Sequence, residues 1–348
     1  MPDAAQVVAA VFYKGRIIYS DANDGNIRSI NLDGSNSTVL RNNAANISSL
    51  NIYDPHLQTG SNVCEQNKGN CSHLCIPKGS DHRVCMCATG YSLQSDGKSC
   101  AGISDFILFS VNSGYDIMGI KYNKNESKVQ QVLGPLSKVS LAAKVDFHAA
   151  EDYIYWVDID HGTISRTHRD GTGRENIIEY VETGDPTPVD QFTDIAVDWI
   201  AQNIYWSDPK ENVIEVARLT GQYRYVLISG GVDQPSALAV DPESGYLFWS
   251  ESGKIPLIAR AGLDGKKQTI LAQEIIMPIK DITLDRKNKR VYWCYSVGSN
   301  VLESMDYSGG SKMQLKLSSN IKNAVALNVF KWLRLHYEQI IALIGTVN

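Results

Sequence analysis

Short runs of alternating apolar and polar residues, bounded by turn residues, cover most of this chain. One set reads Asp194-Ile195-Ala196-Val197-Asp198, then Asn203-Ile204-Tyr205-Trp206, then 213–219 and 225–228, with Thr220-Gly221 at a turn. β-Branched and aromatic residues at a period of two mark half-buried strands, and Gly or Asp-Gly marks the hairpins between them. The next set follows the same order: 237–240, 246–249, 257–263, the turn Asp264-Gly265, and 268–271. Only the last eighteen residues offer a competing helical period, so the chain reads as all-β.

The second strand of each set carries a signature. Tyr155-Trp156-Val157-Asp158 returns as Tyr205-Trp206-Ser207-Asp208, Phe248-Trp249-Ser250-Glu251 and Tyr292-Trp293-Cys294-Tyr295, with steps of 50, 43 and 44 residues between tryptophans. A repeat of about 40–45 residues with aromatic punctuation is one four-stranded blade of a β-propeller. A blade cannot bury both faces alone, so blades must stack. The aromatic residues suit packed faces between blades, and Asp158 and Asp208 are expected to accept backbone hydrogen bonds that tie neighbouring blades. In the fourth set Glu251 is a longer acid, and in the fifth Tyr295 replaces the acid, so one tie is expected to be missing.

A degenerate blade begins at Phe106-Ile107-Leu108-Phe109-Ser110, and a sixth starts at 323–330 before the pattern lapses over 331–348. An isolated unit precedes these: 7–12, Arg16-Ile17-Ile18-Tyr19-Ser20-Asp21 with Tyr19 and Asp21 at signature positions, 27–32, and 38–41. It reads as the last blade of a preceding propeller. The expected domains are therefore 1–55 (single blade), 60–101 (cysteine module), 102–330 (propeller) and 331–348 (divergent tail). In a second arrangement the N-terminal unit closes the ring against the fifth blade, 48–53 supplies the missing inner strand of the first, and 323–330 is surplus.

Six of the seven cysteines lie between Cys64 and Cys100, with a one-residue gap at Cys85-Met86-Cys87 and the turn Asp96-Gly97-Lys98. So small a segment has little core and needs staples, each worth roughly 2–4 kcal/mol. Spacing alone leaves several pairings open. Zinc held with His73 or His82 is disfavoured, because no pair of Cys-x-x-Cys knuckles is present. The segment resembles an EGF-like module, and that resemblance implies Cys64–Cys75, Cys71–Cys85 and Cys87–Cys100. Gly60-Ser61-Asn62-Val63 offers no carboxylate before the first cysteine, so the module is expected to be a spacer and not a calcium site.

Tyr-Trp-x-Asp repeats beside such a module resemble the low-density lipoprotein receptor family, of the receptor-related, megalin and vitellogenin receptor type. The segment from Asp194 to Pro242 is especially similar. The resemblance implies a six-bladed propeller, incomplete or closed by the N-terminal blade, in a non-catalytic receptor that takes up lipoproteins or yolk proteins and releases ligand in acid. Ser252 stands where relatives often carry a second tryptophan, which weakens any inherited ligand surface there. His148, His161 and His168 in or beside one blade are candidate pH sensors, because imidazole titrates between neutral and endosomal pH. A nidogen-like basement-membrane protein combines the same two modules and is the alternative.

A net charge of −5 gives no basic footprint for nucleic acid. No apolar run approaches the length needed to span a bilayer, and 340–344 is far too short. Met1-Pro2-Asp3-Ala4-Ala5 lacks the features of a secretory signal, while the cysteines fit an oxidising compartment. Together these suggest an interior piece of a larger protein on the extracellular or endosomal side. Asn36, Asn46, Asn70 and Asn125 head N-glycosylation acceptor sequences. Cys294, the odd cysteine, is expected to be a buried thiol, with an intermolecular bridge as the alternative. Asp146, Asp198, Asp241 and Asp285 recur once per unit, as scaffold residues do. Neither Gly-x-Ser-x-Gly nor His-Glu-x-x-His is present, so no catalysis and no cofactor are expected.

Overall fold

The computed structural model describes residues 6–44, 47–104, 106–111, 116–121, 131–133, 136, 139–140, 142–180, 192–273, 278–295, 301–316, 324–331 and 338–344. The chain forms two compact units, one of residues 1–69 and 77–83, the other of 70–76 and 84–348.

The first unit holds an antiparallel four-stranded sheet in chain order: Val7–Tyr13, Arg16–Asp21, Asn26–Asn31 and Thr38–Arg41. Tyr19 and Asp21 are buried, and Asp21 Oδ1 accepts from the amides of Gln6 and Asn23 at 3.1 and 3.0 Å. Residues 48–53, expected as an inner strand, form none, and Tyr53 is 98% exposed. The chain there leads into a 3₁₀ turn, Pro55–Leu57, whose cap Asp54 accepts from the His56 amide and the Tyr13 hydroxyl. A side chain that satisfies a turn in this way competes with strand pairing.

The second unit contains the blades. Blade 1 has three strands, Phe106–Val111, Asp116–Lys121 and Gln131–Leu133. Four-stranded antiparallel blades follow. Blade 2 is Ala142–His148, Tyr153–Asp158, Thr163–His168 and Glu175–Glu179. Blade 3 is Asp194–Asp198, Asn203–Asp208, Val213–Arg218 and Tyr225–Ser229. Blade 4 is Pro235–Asp241, Tyr246–Glu251, Leu257–Gly262 and Thr269–Gln273. Blade 5 is Ile279–Asp285, Arg290–Tyr295, Val301–Asp306 and Met313–Lys316.

Neighbouring side chains in a strand point to opposite faces. The two signature aromatics therefore serve different neighbours. Tyr155 of blade 2 shares a core with Trp206 of blade 3. Tyr205 of blade 3 shares one with Trp249 of blade 4, and Phe248 of blade 4 shares one with Trp293 of blade 5. Trp156 faces back to Ile117 and Leu133 of blade 1. Each side chain so buried contributes about 1.5–3 kcal/mol or more.

Polar ties reinforce each seam. The amides of Val197 and Leu238 donate to Asp146 Oδ2 and Asp194 Oδ2 of the preceding blade, at 2.8 and 2.9 Å. One donor per seam also reaches the same carbonyl position of the next blade: Arg166 to Leu219, Tyr205 to Leu263 and Arg260 to Tyr307. The inter-blade role expected of Asp208 is corrected. Its Oδ1 accepts from the Lys210 and Glu211 amides of its own turn. Asp158 accepts from Ser140 at the entry to its own blade and from His161. The signature strand is second in its blade, so its end meets a hairpin, whereas the inner strand lies beside its neighbour's inner strand. In blade 4, Glu251 reaches back to the Asp233 amide.

Ala324–Lys331 lies beside the inner strand of blade 5, as that strand lies beside the inner strand of blade 4, and pairs antiparallel with Glu338–Ile344. Residues 323–330 are thus not surplus, and the tail expected to diverge contributes a strand in place of helix. The Ile-rich run at 340–344 favours extended backbone.

The cysteine module's bridges Cys71–Cys85 and Cys87–Cys100 are present, and Cys64 and Cys75 are also oxidised. Arg169 of blade 2 pins the module's end. It donates to the carbonyls of Ile103 (2.6 Å) and Gly90 (3.4 Å), pairs with Asp152, and stands over the rings of Tyr91 and Phe106. Gly90 is required there: its φ is +91°, and a Cβ would sit 2.3 Å from the Val132 carbonyl oxygen.

Among the buried donors left without a partner in the described residues is the Trp156 indole N–H. In blade 3 the Trp206 indole N–H donates to Glu215, its cross-strand neighbour, and Glu215 pairs with Arg224. In blade 2 the neighbour of Trp156 is Ser165, and the Trp156 N–H has no partner among the described residues, although Arg174 stands 5.0 Å over its ring. Ser165→Glu should supply the acceptor and raise stability by about 1 kcal/mol in urea unfolding. An unchanged or lower midpoint would contradict this account of the seam.

Candidate functional site

The inner strands end in acids that hold the following turns. Asp198 accepts from the amides of Ile200 and Ala201 at 2.9 Å, and Asp285 from Asn288. Asp241 accepts from Ser244, Lys289 and Tyr307. Burial opposes ionisation of Asp241, but those hydrogen bonds hold its carboxyl below the usual range. Burial instead pushes Asp146 up.

Asp146 lies inside its strand, which runs on to His148 opposite Tyr153, so His148 and not Asp146 occupies the place of Asp198. At this end of the blades Phe147 is 51% exposed, Trp199 37% and the adjacent Ile200 57%. Arg286 of blade 5 donates to the Val240 carbonyl of blade 4 and stands 4.7 Å over the Trp199 ring of blade 3. An exposed guanidinium on an indole, beside apolar surface, suits a protein ligand that presents an apolar residue next to a carboxylate.

A second cluster lies among the inner strands. Lys144 Nζ is 2.6 Å from Asp281 Oδ1 of blade 5 and 3.3 Å from Asp194 Oδ2 of blade 3. Burial would lower the Lys144 pKa, but attraction to Asp194 and Asp281 outweighs it, and the net shift is upward. Asp194 moves to about 6: burial raises it, Lys144 opposes, and Asp281 adds repulsion. The two upward shifts agree, because one cation is shared by two carboxylates. The cluster joins three blades and works as a structural clamp. Among the described residues, no group of three or more His, Cys, Asp or Glu could hold a metal ion.

Comparison with known proteins places this scaffold. Residues 202–242 match the model for low-density lipoprotein receptor repeat class B, and residues 64–100 match that for the Coagulation Factor Xa inhibitory site. Over 320 residues the chain is 31% identical to human low-density lipoprotein receptor-related protein 5, covering 91% of this chain and 19% of that protein. The chain carries a low-density lipoprotein receptor class B repeat and is similar to that receptor family over most of its length. It spans about a fifth of the length of that relative. A chain of the nidogen/laminin complex shares the propeller fold, with a TM-score of 0.55 and 23% identity over 65% of this chain and 82% of that one.

Within this receptor-family scaffold the signature residues Tyr155, Trp156, Asp158, Tyr205, Trp206, Asp208, Phe248, Trp249, Glu251 and Trp293 are buried, and Tyr292 is half-buried. The three candidate pH sensors are not brought together. His148 and His168 both pair across from Tyr153, whereas His161 lies at the other end of the strand beside Asp158. His148 is buried, with ring nitrogens facing the Glu151 amide and Gln202, and His168 stacks on Tyr153 at 3.9 Å. Cys294 carries a buried reduced thiol whose pKa burial pushes up to about 12, which keeps it unreactive. Asn36 and Asn70 are exposed. Asn46 and Asn125 lie outside the described residues.

The inner-strand cluster was not anticipated from sequence. Its only local sign is a charge among apolar strand residues, at Lys144, Asp194 and Asp281. Because the folded pKa of Asp194 lies above the ordinary value of 3.8, its ionisation opposes folding. Its contribution is present below about pH 4 and lost as pH rises through about 6. Relative to Asp194→Asn, the native chain should therefore gain roughly 3 kcal/mol of unfolding free energy between pH 7 and pH 4. Parallel pH profiles would contradict the assignment.

Proposed function

We propose that the chain is a non-catalytic, protein-binding segment of an endocytic receptor for lipoproteins or yolk proteins, working outside the cell and in the endosomal lumen. The observation that carries this reading is the exposed set Phe147, Trp199, Ile200 and Arg286. The repeat buries its signature aromatics, Tyr292 only in part, so open apolar surface at the end of the inner strands has a use other than stability. An aromatic and arginine surface suits a macromolecular partner, since Trp and Arg dominate binding hot spots.

Acid release is part of the proposal. His161 is exposed beside the buried Asp158 carboxylate, and His148 touches Gln202 of the next blade near Trp199. A positive charge at His148 would disturb the turn that borders the surface, whereas one at His161 would act at the opposite end of the blade. The cysteine module is read as a spacer between receptor segments. The N-terminal sheet is read as an end blade of a neighbouring array.

Immobilised chain should capture purified lipoprotein or yolk protein at about pH 7 and release it at about pH 5. Trp199→Ala with Arg286→Glu should weaken capture at least about tenfold, and glutamine at all three histidines should abolish the pH dependence. Capture that survives the first variant would exclude this surface. Capture of laminin with neither lipoprotein nor yolk protein would replace the endocytic reading with a basement-membrane one.

A further inference from the structure

The blades are copies of one plan, so one blade shows what another lacks. In blade 3, Arg224 stands just before the outer strand, 5.5 Å over the Trp206 ring, and forks onto Glu215 with Nε 3.0 Å from Oε1 and Nη2 2.8 Å from Oε2. Glu215 is the cross-strand neighbour of Trp206. Indole, carboxylate and guanidinium form a complete arginine seat, filled by the chain itself.

Blade 5 keeps two of the three parts. Glu303 is the cross-strand neighbour of Trp293, as Glu215 is of Trp206. At the position of Arg224 stands Lys312, whose ammonium is a compact hydrated point charge without the planar fork. Among the described residues no cation stands over Trp293, and Glu303 has no ion pair. Its oxygens accept instead from Gln314 Nε2 at 2.6 Å and from the Tyr295 hydroxyl. Each carboxylate oxygen retains a further lone pair for another donor. The space is open: a cavity of about 280 Å³ is lined by Trp293, Glu303, Ser304, Lys312, Met313 and Gln314.

We propose that this cavity receives an arginine side chain of a partner protein, with the guanidinium against Trp293 and bonded to Glu303. The occupant follows from charge and shape: a half-buried carboxylate without a cation among the described residues, beside an indole, in the arrangement that holds Arg224 in blade 3. Lys312 is exposed at the rim and can turn into solvent, where water and salt screen it. This seat is separate from the Trp199 surface, so either assignment can fail without the other.

The test uses the whole chain and Nα-acetyl-arginine amide as probe, with the lysine and citrulline counterparts as controls. Binding is read from the indole N–H resonance of Trp293. The arginine probe should shift that resonance saturably, while citrulline, which lacks the charge, and lysine, which lacks the fork, should bind at least about tenfold more weakly. Glu303→Gln should weaken arginine binding by at least about tenfold. Lys312→Arg should fill the seat from within, abolish probe binding and raise the unfolding midpoint, so the second variant reports even if the first is destabilised. No saturable shift in the native chain, equal binding of arginine and lysine probes, or undiminished binding in Lys312→Arg would overturn the proposal.

Discussion

The alternation of side chains along a strand is the constraint on which this molecule depends. Two large aromatics in sequence, Tyr205 and Trp206, must leave the sheet on opposite faces. Both faces of a blade are then apolar, and neither can be left to water. The seam between blades 2 and 3 joins Tyr155 to Trp206, and the next joins Tyr205 to Trp249. Each blade thus carries half of two cores, and stability is shared between nearest neighbours as in other repeat arrays.

Polar groups follow the same geometry. Inner strands lie side by side, so the carboxylates that cross seams, Asp146 and Asp194, come from them. Signature acids sit at hairpin ends and hold their own turns, as Asp208 does. Deviations from the plan have local consequences. Ser165 leaves the Trp156 indole N–H unpartnered, Glu251 takes over as acceptor for Trp249, and Tyr295 does so for Trp293. Lys312 leaves an arginine seat open. With the signature committed to the scaffold, the proposed binding surface lies outside it, at the turn residues Trp199 and Ile200 and the neighbouring Arg286.

What could be read from the sequence was whatever repeats locally. Strands, hairpins, blade pitch and the burial of the aromatic pairs all follow from period-two alternation and turn chemistry. Contacts set by closure in space were not legible. Lys144 and Asp281 are 137 residues apart, and nothing near either residue names the other. Arg169 reads as an ordinary residue before an Asp-Gly turn, yet it holds the end of the cysteine module. Residues 48–53 have a strand-like composition but form no strand and lead into the turn capped by Asp54. The histidines of blade 2 are close in sequence, but strand geometry sends His161 to the opposite end from His148 and His168.

The most direct test of the central claim changes order and keeps composition. In the double variant Tyr205→Trp, Trp206→Tyr, both rings stay but each faces the wrong neighbour, overpacking one seam and leaving a void in the other. If each aromatic is fitted to its own seam, urea unfolding should show a loss of roughly 3 kcal/mol or more, with blades 2 to 4 losing hydrogen-exchange protection together. An unchanged midpoint and unchanged protection would show that apolar content alone, and not the order of the pair, holds the blades together.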